Sequence, residues 1–329
     1  MAAADSAASG EHPRRLRGGH GAGDRLFAVV VRSAGATVFV VMGLIGLFLF
    51  MRGSQALREA GTAFFTESQW VPDAHRFGIA AVLLGTVLIG MVALAVAFPI
   101  SLGAALYISE YAAQRWRRPL ISLVDLMAAV PSIIYGVWGF FLLQPNVLGL
   151  SRWLSDWLGF IPFFTVRSAH DEPSTYAGTT FIAGLVVAVM VVPICTSVMR
   201  EVFSQAPSYE REAAYALGAT RWGMIRAVVL PFGRGGIIGG TMLALGRALG
   251  ETVAVFLVLS FLLNVRIRIL DDGGSSISSL IALKYGESSP LQLSGLMAAG
   301  LVLFLLTLAV NMLASYVVAR SRSGAATEI

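Results

Sequence analysis

The sequence predicts an all-α polytopic membrane protein with six transmembrane helices. Of its 329 residues, 56% are apolar and only 13% are charged, whereas a soluble domain carries about 25% charged residues. A helix needs about 20 apolar residues to cross the hydrocarbon of a bilayer. Runs of that length follow one another along the chain, at about 27–50, 78–109, 119–144, 178–200, 234–264 and 291–319.

Four segments are expected along the chain. The first is rich in Ala, Gly, Ser and Arg and lacks apolar periodicity, which is typical of disorder. The first apolar run is too long for a signal-peptide core, so we expect it to be retained as a span. The predicted segments are a disordered cytoplasmic tail at 1–26, the first transmembrane helix with an outer loop at 27–74, a membrane core at 75–320 with a cytoplasmic loop at 201–233, and a second cytoplasmic tail at 321–329.

The distribution of basic residues predicts that both termini are cytoplasmic. Fifteen of the 24 Lys and Arg residues fall on the side of the membrane that holds the N-terminus, eight fall on the other side, and Arg247 lies inside the fifth span. Cytoplasmic segments carry the excess of Lys and Arg in membrane proteins. The net charge of +5 is therefore a topology signal, and we expect no nucleic-acid partner.

Several kinds of chemistry are missing from the sequence. Cys195 is the only cysteine, so no disulfide can form within the chain. The four histidines lie outside the predicted spans, and no cluster has metal-ligand spacing. The only lysine is Lys284, and no Gly-x-x-x-x-Gly-Lys phosphate loop exists. We therefore expect neither a metal nor a cofactor in this chain. A polytopic membrane enzyme is a third possible function, but it would need a nucleophile or a metal cluster near the membrane surface, and the sequence shows neither.

The loop between the fourth and fifth spans has its own helical pattern. It reads EREAAYALGATRWGMIRAVVLP from Glu210 to Pro231. Apolar residues at helical spacing on both sides of Gly218 predict two short helices joined by a turn. Small residues at Ala213, Ala214 and Gly218 permit close approach of a partner, and Glu212 and the arginines of the loop are expected to make polar contacts at the partner's rim. The loop is predicted to dock a soluble partner, the alternative being an ordinary connection between spans.

This loop resembles the coupling-loop signature of ATP-binding-cassette importer permeases. The signature is EAA, three residues, Gly, nine residues, a β-branched residue, any residue, then Leu-Pro, and every element is present. The resemblance implies a type I ABC importer permease fold, with the loop in a cleft of a separate ATPase that binds ATP and Mg²⁺. The residues that carry this assignment are Glu212, Ala213, Ala214, Gly218, Ala219, Leu230 and Pro231.

Two further stretches resemble the phosphate-specific permeases. They are PSIIYG from Pro131 to Gly136 and RALGET from Arg247 to Thr252, and the second is more similar to the PstC-type subunit than to its PstA-type partner. The resemblance covers about residues 75–320. It implies the permease subunit of an ATP-driven phosphate importer in a bacterial inner (plasma) membrane. The implied partners are a PstA-type second permease, two copies of a PstB-type ATPase and an external PstS-type phosphate-binding protein.

Arg247 and Glu251 are the leading candidates for the substrate pathway. Their spacing of four predicts one helix face near mid-membrane, where a charge must face protein or water. A guanidinium matches the oxygens of phosphate, and Glu251 would pair with it when no anion is present. A purely structural ion pair is the alternative. Ser132, beside the helix-breaking Pro131, and Thr252 complete the candidate pathway, although a packing kink would also explain Pro131-Ser132.

The substrate and the energy source each leave an alternative open. Arg247 would suit sulfate or molybdate as well as phosphate, so only the resemblance selects phosphate. An ion-coupled secondary transporter is a less favoured function. The spans hold few ionisable residues for a proton or sodium relay, and no inverted repeat is evident.

Overall fold

The computed structural model describes residues 22–71, 76–166 and 173–322. Strands β1 (Trp70–Val71) and β2 (Arg76–Phe77) pair antiparallel, and the rest of the regular structure in these ranges is helical. The helices are α1 (Ala22–Ala60), α2 (Ala63–Thr66), α3 (Ala80–Leu106), α4 (Gln114–Ala129), α5 (Ser132–Trp138), α6 (Gln144–Leu158), α7 (Thr180–Ser204), α8 (Ser208–Ala216), α9 (Arg221–Met224), α10 (Leu230–Leu249), α11 (Val253–Val258), α12 (Ile277–Lys284) and α13 (Pro290–Arg322), with short 3₁₀ turns at Pro173–Tyr176 and Tyr285–Glu287.

Three π-helical segments extend or join these helices. Tyr107–Tyr111 continues α3, Gly139–Leu143 joins α5 to α6, and Ile225–Val229 joins α9 to α10. The third lies directly before Pro231, whose ring excludes an ordinary helical turn and whose nitrogen carries no hydrogen. The wider turn of a π-helix absorbs this mismatch, so the helix continues through the proline.

Six helical stretches in the described residues are long and apolar enough to cross a membrane, which confirms the predicted number. Three of them, the second, fourth and sixth, agree with the predicted positions to within a few residues, and the first begins earlier and ends ten residues later than predicted. The stretches are Gly23–Ala60, Ala80–Tyr111, Ser132–Leu158, Thr180–Ser204, Arg221–Leu249 and Pro290–Arg320.

The prediction of the third span at 119–144 is wrong. Its first part is the separate helix α4, and the span runs from Ser132 to Leu158. Pro131 causes the shift, because a proline forces the residue before it out of the helical region. Val130 is accordingly extended, with φ −65° and ψ 128°. Apolar composition continued across the proline and concealed this break.

The prediction of the fifth span at 234–264 is also wrong. The helix begins at Arg221 and ends at Leu249. It begins early because the Thr220 side chain accepts a hydrogen bond from the Gly223 N–H at 3.1 Å and caps the first turn. Leu249 is followed by the non-helical residues 250–252 and then by α11. The second half of the loop, from Arg221, and the span are therefore one continuous helix.

Helix α7 forms the centre of the larger hydrophobic core. It is the most buried of the six spans, and α3 and α10 pack along it. Glycines allow these contacts to be close: a methyl group built on Gly184 would lie 2.5 Å from Val92, and one on Gly236 would lie 2.5 Å from Val202. Such small-residue packing is typical of helix interfaces in membranes.

A second hydrophobic cluster joins the end of α1 to the β-sheet, α12 and α13. Its aromatic members are Phe64, Trp70 and Phe77, which contact one another edge to face. Gly53 of α1 approaches Ala298 of α13 so closely that an added methyl group would lie 2.8 Å from the Ala298 backbone. This cluster holds the last part of α1, from Gly53 onward, against α13.

The predicted tails lie mostly outside the described residues. Positions 1–21 and 323–329 are not described, while 22–26 belong to α1 and 321–322 belong to α13.

Candidate functional site

Two helix breaks carry the sequence stretches that were singled out as pathway candidates. One lies at Val130-Pro131, before α5, and the other at residues 250–252, before α11. Helices α5 and α11 pack against each other so closely that a methyl group on Gly136 would lie 2.9 Å from the Ala254 Cα atom. The fold therefore brings the two breaks together, although 120 residues of sequence separate them.

Tyr135 supplies a hydrogen-bond donor that is missing at the first break. The missing N–H of Pro131 leaves the carbonyl of Met127, four residues earlier, without its usual helical donor. The Tyr135 hydroxyl donates to that carbonyl at 2.7 Å. The Val130 N–H also donates to the Met127 carbonyl, at 3.3 Å, so this carbonyl has two donors in place of the missing one.

Glu251 has a structural role at the second break. Only 8% of this residue is exposed, and its Oε1 accepts the Ala254 N–H at 3.2 Å. The Ser278 hydroxyl donates to the Glu251 carbonyl at 2.7 Å. Glu251 thereby caps α11, a position where a carboxylate favours the start of a helix.

The prediction that Arg247 and Glu251 share one helix face is wrong, because α10 ends at Leu249 between them. In the described part of the chain, these two side chains form no ion pair with each other. Arg247 has no hydrogen-bonded or ionic partner there and is exposed. The Arg247 guanidinium can therefore bind a ligand, whereas the Glu251 carboxylate already accepts a backbone hydrogen bond from Ala254.

Arg247 lines a cavity of about 360 Å³ between α7, α10 and α13, which we call the Arg247 cavity. Its other lining residues are Ile194, Leu243, Gly246 and Asn311. Ile194 lies ten residues before the end of α7, and Asn311 lies eleven before the end of α13. At 1.5 Å per residue, both are about 15 Å from those ends, which is half of a hydrocarbon layer of about 30 Å. Measured from these two helix ends, the cavity lies near mid-membrane.

Ser132 and Thr252 do not line this cavity. Ser132 is the half-buried first residue of α5, and Thr252 precedes α11, where its hydroxyl donates to the Gly250 carbonyl at 3.4 Å. Asn311 was missed at the level of sequence. An amide within the apolar run LLTLAVNMLASYVV is the signal that would have identified it.

The second candidate region is the loop from Ser208 to Pro231, which we call the docking segment. Helix α8 ends in a turn at Gly218, whose φ of +82° is favourable only for glycine, and α9 follows. Three large apolar or aromatic side chains are exposed there: Leu217 at 89%, Tyr209 at 71% and Trp222 at 55%. Exposed apolar groups concentrated on one segment are typical of a protein-binding surface.

The predicted docking residues divide into two groups. Glu212, Ala213, Gly218 and Pro231 are exposed, whereas Ala214 is buried and Ala219 and Leu230 are half-buried in their own chain. Ala214 therefore does not offer surface to a partner, contrary to expectation. It belongs to the larger hydrophobic core, so its small size permits α8 to lie close to the span helices.

Arg211 fastens the docking segment to two membrane helices. Its guanidinium pairs with Glu110, at the end of α3, at 3.1 Å, with 22% and 4% of the two side chains exposed. It also donates to the Phe203 carbonyl of α7 at 2.6 Å. Nearby, the Arg221 guanidinium lies 5.0 Å from the centre of the Tyr111 ring. Sequence reasoning placed the arginines of this loop at a partner's rim and missed these contacts.

No group of three or more His, Cys, Asp or Glu residues in the described ranges could hold a metal ion. The four histidines, at positions 12, 20, 75 and 170, lie outside those ranges.

Comparison with known proteins identifies the family of the chain. Residues 97–323 match the family described as "Binding-protein-dependent transport system inner membrane component". The chain is 42% identical over 293 residues to "Phosphate transport system permease protein PstC 2" of Mycobacterium tuberculosis, covering 88% of this chain and 90% of that protein. It is 37% identical over 298 residues to "Phosphate transport system permease protein PstC" of Xylella fastidiosa, covering 90% and 91%.

A solved structure supports the fold. A chain of the bacterial alginate ABC transporter in complex with an alginate pentasaccharide-bound periplasmic protein matches with a TM-score of 0.55 at 18% identity, covering 91% of this chain and 99% of that chain. At this identity the match concerns the arrangement of helices and not the substrate.

Proposed function

The chain belongs to the family of binding-protein-dependent transport system inner membrane components, and from that premise we propose that it imports phosphate with energy from ATP. It is a multi-pass transport subunit of the inner membrane rather than an enzyme. The names of its PstC relatives support phosphate as the cargo.

The observation that carries this proposal is Arg247, which lies in a mid-membrane cavity and has no hydrogen-bonded or ionic partner among the residues that the structure describes. A charge at that depth costs about 2.5–3.5 kcal/mol on insertion scales. The chain tolerates this cost without pairing Arg247 to Glu251 or to any other described carboxylate. An anion that passes through the cavity would meet a guanidinium suited to bidentate contact with its oxygens. Phosphate, with one to two negative charges at neutral pH, fits that chemistry.

The docking segment supports the coupling to a separate ATPase. Leu217 and Trp222 leave apolar surface exposed, and the helix that begins at Arg221 within the segment continues to Arg247. Movement of a docked partner would reach the cavity along that helix. In this proposal two PstB-type subunits bind ATP and Mg²⁺, a PstA-type permease completes the pathway, and an external PstS-type protein delivers phosphate.

The proposal also includes a cytoplasmic location for both termini. The excess of arginine around the docking segment and near both chain ends favours this orientation. It places the docking segment on the side where ATP is available.

Uptake into liposomes tests the function. The chain would be reconstituted with its cognate second permease, ATPase and binding protein, and accumulation of labelled phosphate would be measured with ATP or a non-hydrolysable analogue. We expect uptake that needs ATP hydrolysis and is blocked by excess unlabelled phosphate but not by sulfate or molybdate. Competition by sulfate or molybdate would identify another oxyanion, and uptake driven by an ion gradient without ATP would reject the ATP-driven mechanism.

A further inference from the structure

Asn311 is a polar residue of α13 that lines the Arg247 cavity. A methyl group built on Gly246 would lie 3.1 Å from its Oδ1 and 3.6 Å from its Nδ2. The amide therefore lies against the backbone of Gly246, one residue before Arg247. A side chain larger than glycine at 246 would push the amide away, so this close contact depends on Gly246 and leaves the amide at the wall of the cavity that Arg247 also lines.

The Asn311 amide differs from other polar groups of α13. The hydroxyls of Thr307 and Ser315 donate to carbonyls of their own helix, at 2.9 Å each. The Asn311 side chain, in contrast, has no hydrogen bond to another residue that the structure describes. An amide that lacks a partner in an apolar environment costs several kcal/mol, and within a membrane it needs protein, water or a ligand.

The geometry points to Asn311 as a second anion-contacting residue of the Arg247 cavity. Its two N–H donors can bind oxyanion oxygens, and its carbonyl oxygen can accept the hydrogen of a protonated phosphate. Because the amide is neutral, it orients the anion without adding to the electrostatic attraction that Arg247 exerts. This inference rests on the proposed function, since it concerns the same cavity and the same class of anion.

Uptake by the complete transporter is the first test. Asn311→Leu removes a hydrogen bond to a charged group, so we expect phosphate uptake about tenfold slower. Asn311→Asp places a carboxylate beside Arg247, where it competes with the anion, and should abolish uptake. Thr307→Val is the matched control: it removes a hydroxyl four residues away that is satisfied within its own helix, and uptake should not change.

Cysteine labelling is the second test and does not depend on transport. Asn311→Cys should react with a charged, water-soluble methanethiosulfonate reagent, and inorganic phosphate should slow the reaction. Leu313→Cys is the control, because Leu313 is 61% exposed in this chain but lies about 200° around the helix from position 311. The native Cys195 is fully buried and should give little background.

The outcomes separate this inference from the proposed function. If the unmodified transporter carries phosphate while Asn311→Leu does so at the normal rate, the role of Asn311 is rejected and the function stands. A cysteine at 311 that does not react would also reject it. If the unmodified transporter carries a different oxyanion, the proposed cargo is wrong, and protection of the cysteine by that anion would still support contact by Asn311.

Discussion

Arg211 in the docking segment and Arg247 in the membrane cavity show two opposite uses of the same side chain. Arg211 is held by Glu110 and by the Phe203 carbonyl, and both members of the ion pair are largely buried. Arg247 is exposed to a cavity and has no carboxylate partner in the described residues. Arg211 holds α8 against α7 and against the segment that continues α3, whereas the donors of Arg247 can bind a ligand.

The difference teaches that position along the chain does not reveal an arginine's role. Arg211 lies in a solvent-facing loop and is nevertheless structural, whereas Arg247 lies at mid-membrane and forms no ion pair within the described part of the chain. A buried charge that loses its partner costs several kcal/mol, so Arg211 should be sensitive in stability measurements. A free charge contributes little to the fold of its own chain, so Arg247 should be sensitive in transport and not in stability.

The largest expected effect is that of Arg247→Gln. This change removes the cavity's cation, and we expect phosphate uptake to fall more than a hundredfold while the complex still assembles. Labelled-phosphate uptake and co-purification of the subunits would measure the two quantities. Arg234→Gln is the control, since Arg234 is exposed at the other end of α10 and should transport normally. Normal uptake by Arg247→Gln would remove Arg247 from the pathway.

The next largest effect is expected for Leu217→Asp in the docking segment. Leu217 is 89% exposed, so the substitution should not disturb the fold of this chain, but it places a charge in the proposed contact with the ATPase. Loss of an apolar anchor with burial of a charge should weaken ATPase binding at least tenfold, on the scale of about 2 kcal/mol or more for an interface hot spot. Retention of the ATPase during purification is the measurement.

Leu217→Met is the matched control for that experiment, because it preserves apolar surface at the same position. It should retain the ATPase and transport phosphate. Unchanged ATPase binding by Leu217→Asp would contradict the assignment of Leu217 to the docking surface.

An intermediate effect is expected when the Arg211–Glu110 pair is broken. Arg211→Gln leaves a nearly buried carboxylate without its partner, which costs about 3–5 kcal/mol in comparable buried pairs. We expect a lower unfolding temperature of the purified permease and less phosphate moved per ATP hydrolysed. The double variant Arg211→Gln, Glu110→Gln should recover part of the stability, because it removes the unpaired charge.

Arg221→Gln provides the comparison for the broken pair. It removes only the contact with the Tyr111 ring, which is worth about 0.5–1 kcal/mol at exposed sites. Equal stability of Arg211→Gln and the unmodified permease would show that the ion pair does not hold the docking segment in place.

The number of spans and the two short helices joined by a turn in the docking segment could be predicted from the sequence, because both depend on local pattern. Apolar runs identify spans, and the turn at Gly218 follows from residues that are adjacent in the chain. The Arg211–Glu110 pair could not be predicted, since 101 residues separate its members. Nor could the burial of Ala214, because an alanine on a short helix fits a partner's surface and its own core equally well.

The helix breaks were only partly predictable. Pro131 indicated the first, but the apolar residues on both sides of it concealed where the span begins. Leu249-Gly250-Glu251 carries no proline, and a single glycine is tolerated within a helix at a cost of about 1 kcal/mol. Helix α10 ends there because Glu251 caps α11 and because the Ser278 hydroxyl donates to the Glu251 carbonyl. Ser278 comes from a distant part of the chain. The predicted pairing of Arg247 with Glu251 failed for that reason.

The smallest expected effect, that of Glu251→Gln, tests this last point. The amide oxygen of glutamine can still accept the Ala254 N–H, so the cap persists and uptake should stay within about twofold of the unmodified rate, as expected when a capping interaction is retained. Glu251→Leu removes the acceptor and should lower the unfolding temperature. If Glu251→Gln abolished uptake in a stable, assembled complex, the charge itself would be required. The carboxylate would then have to leave its capping position and meet Arg247 during transport, and the separation of a structural from a free arginine would hold for only one state of the transporter.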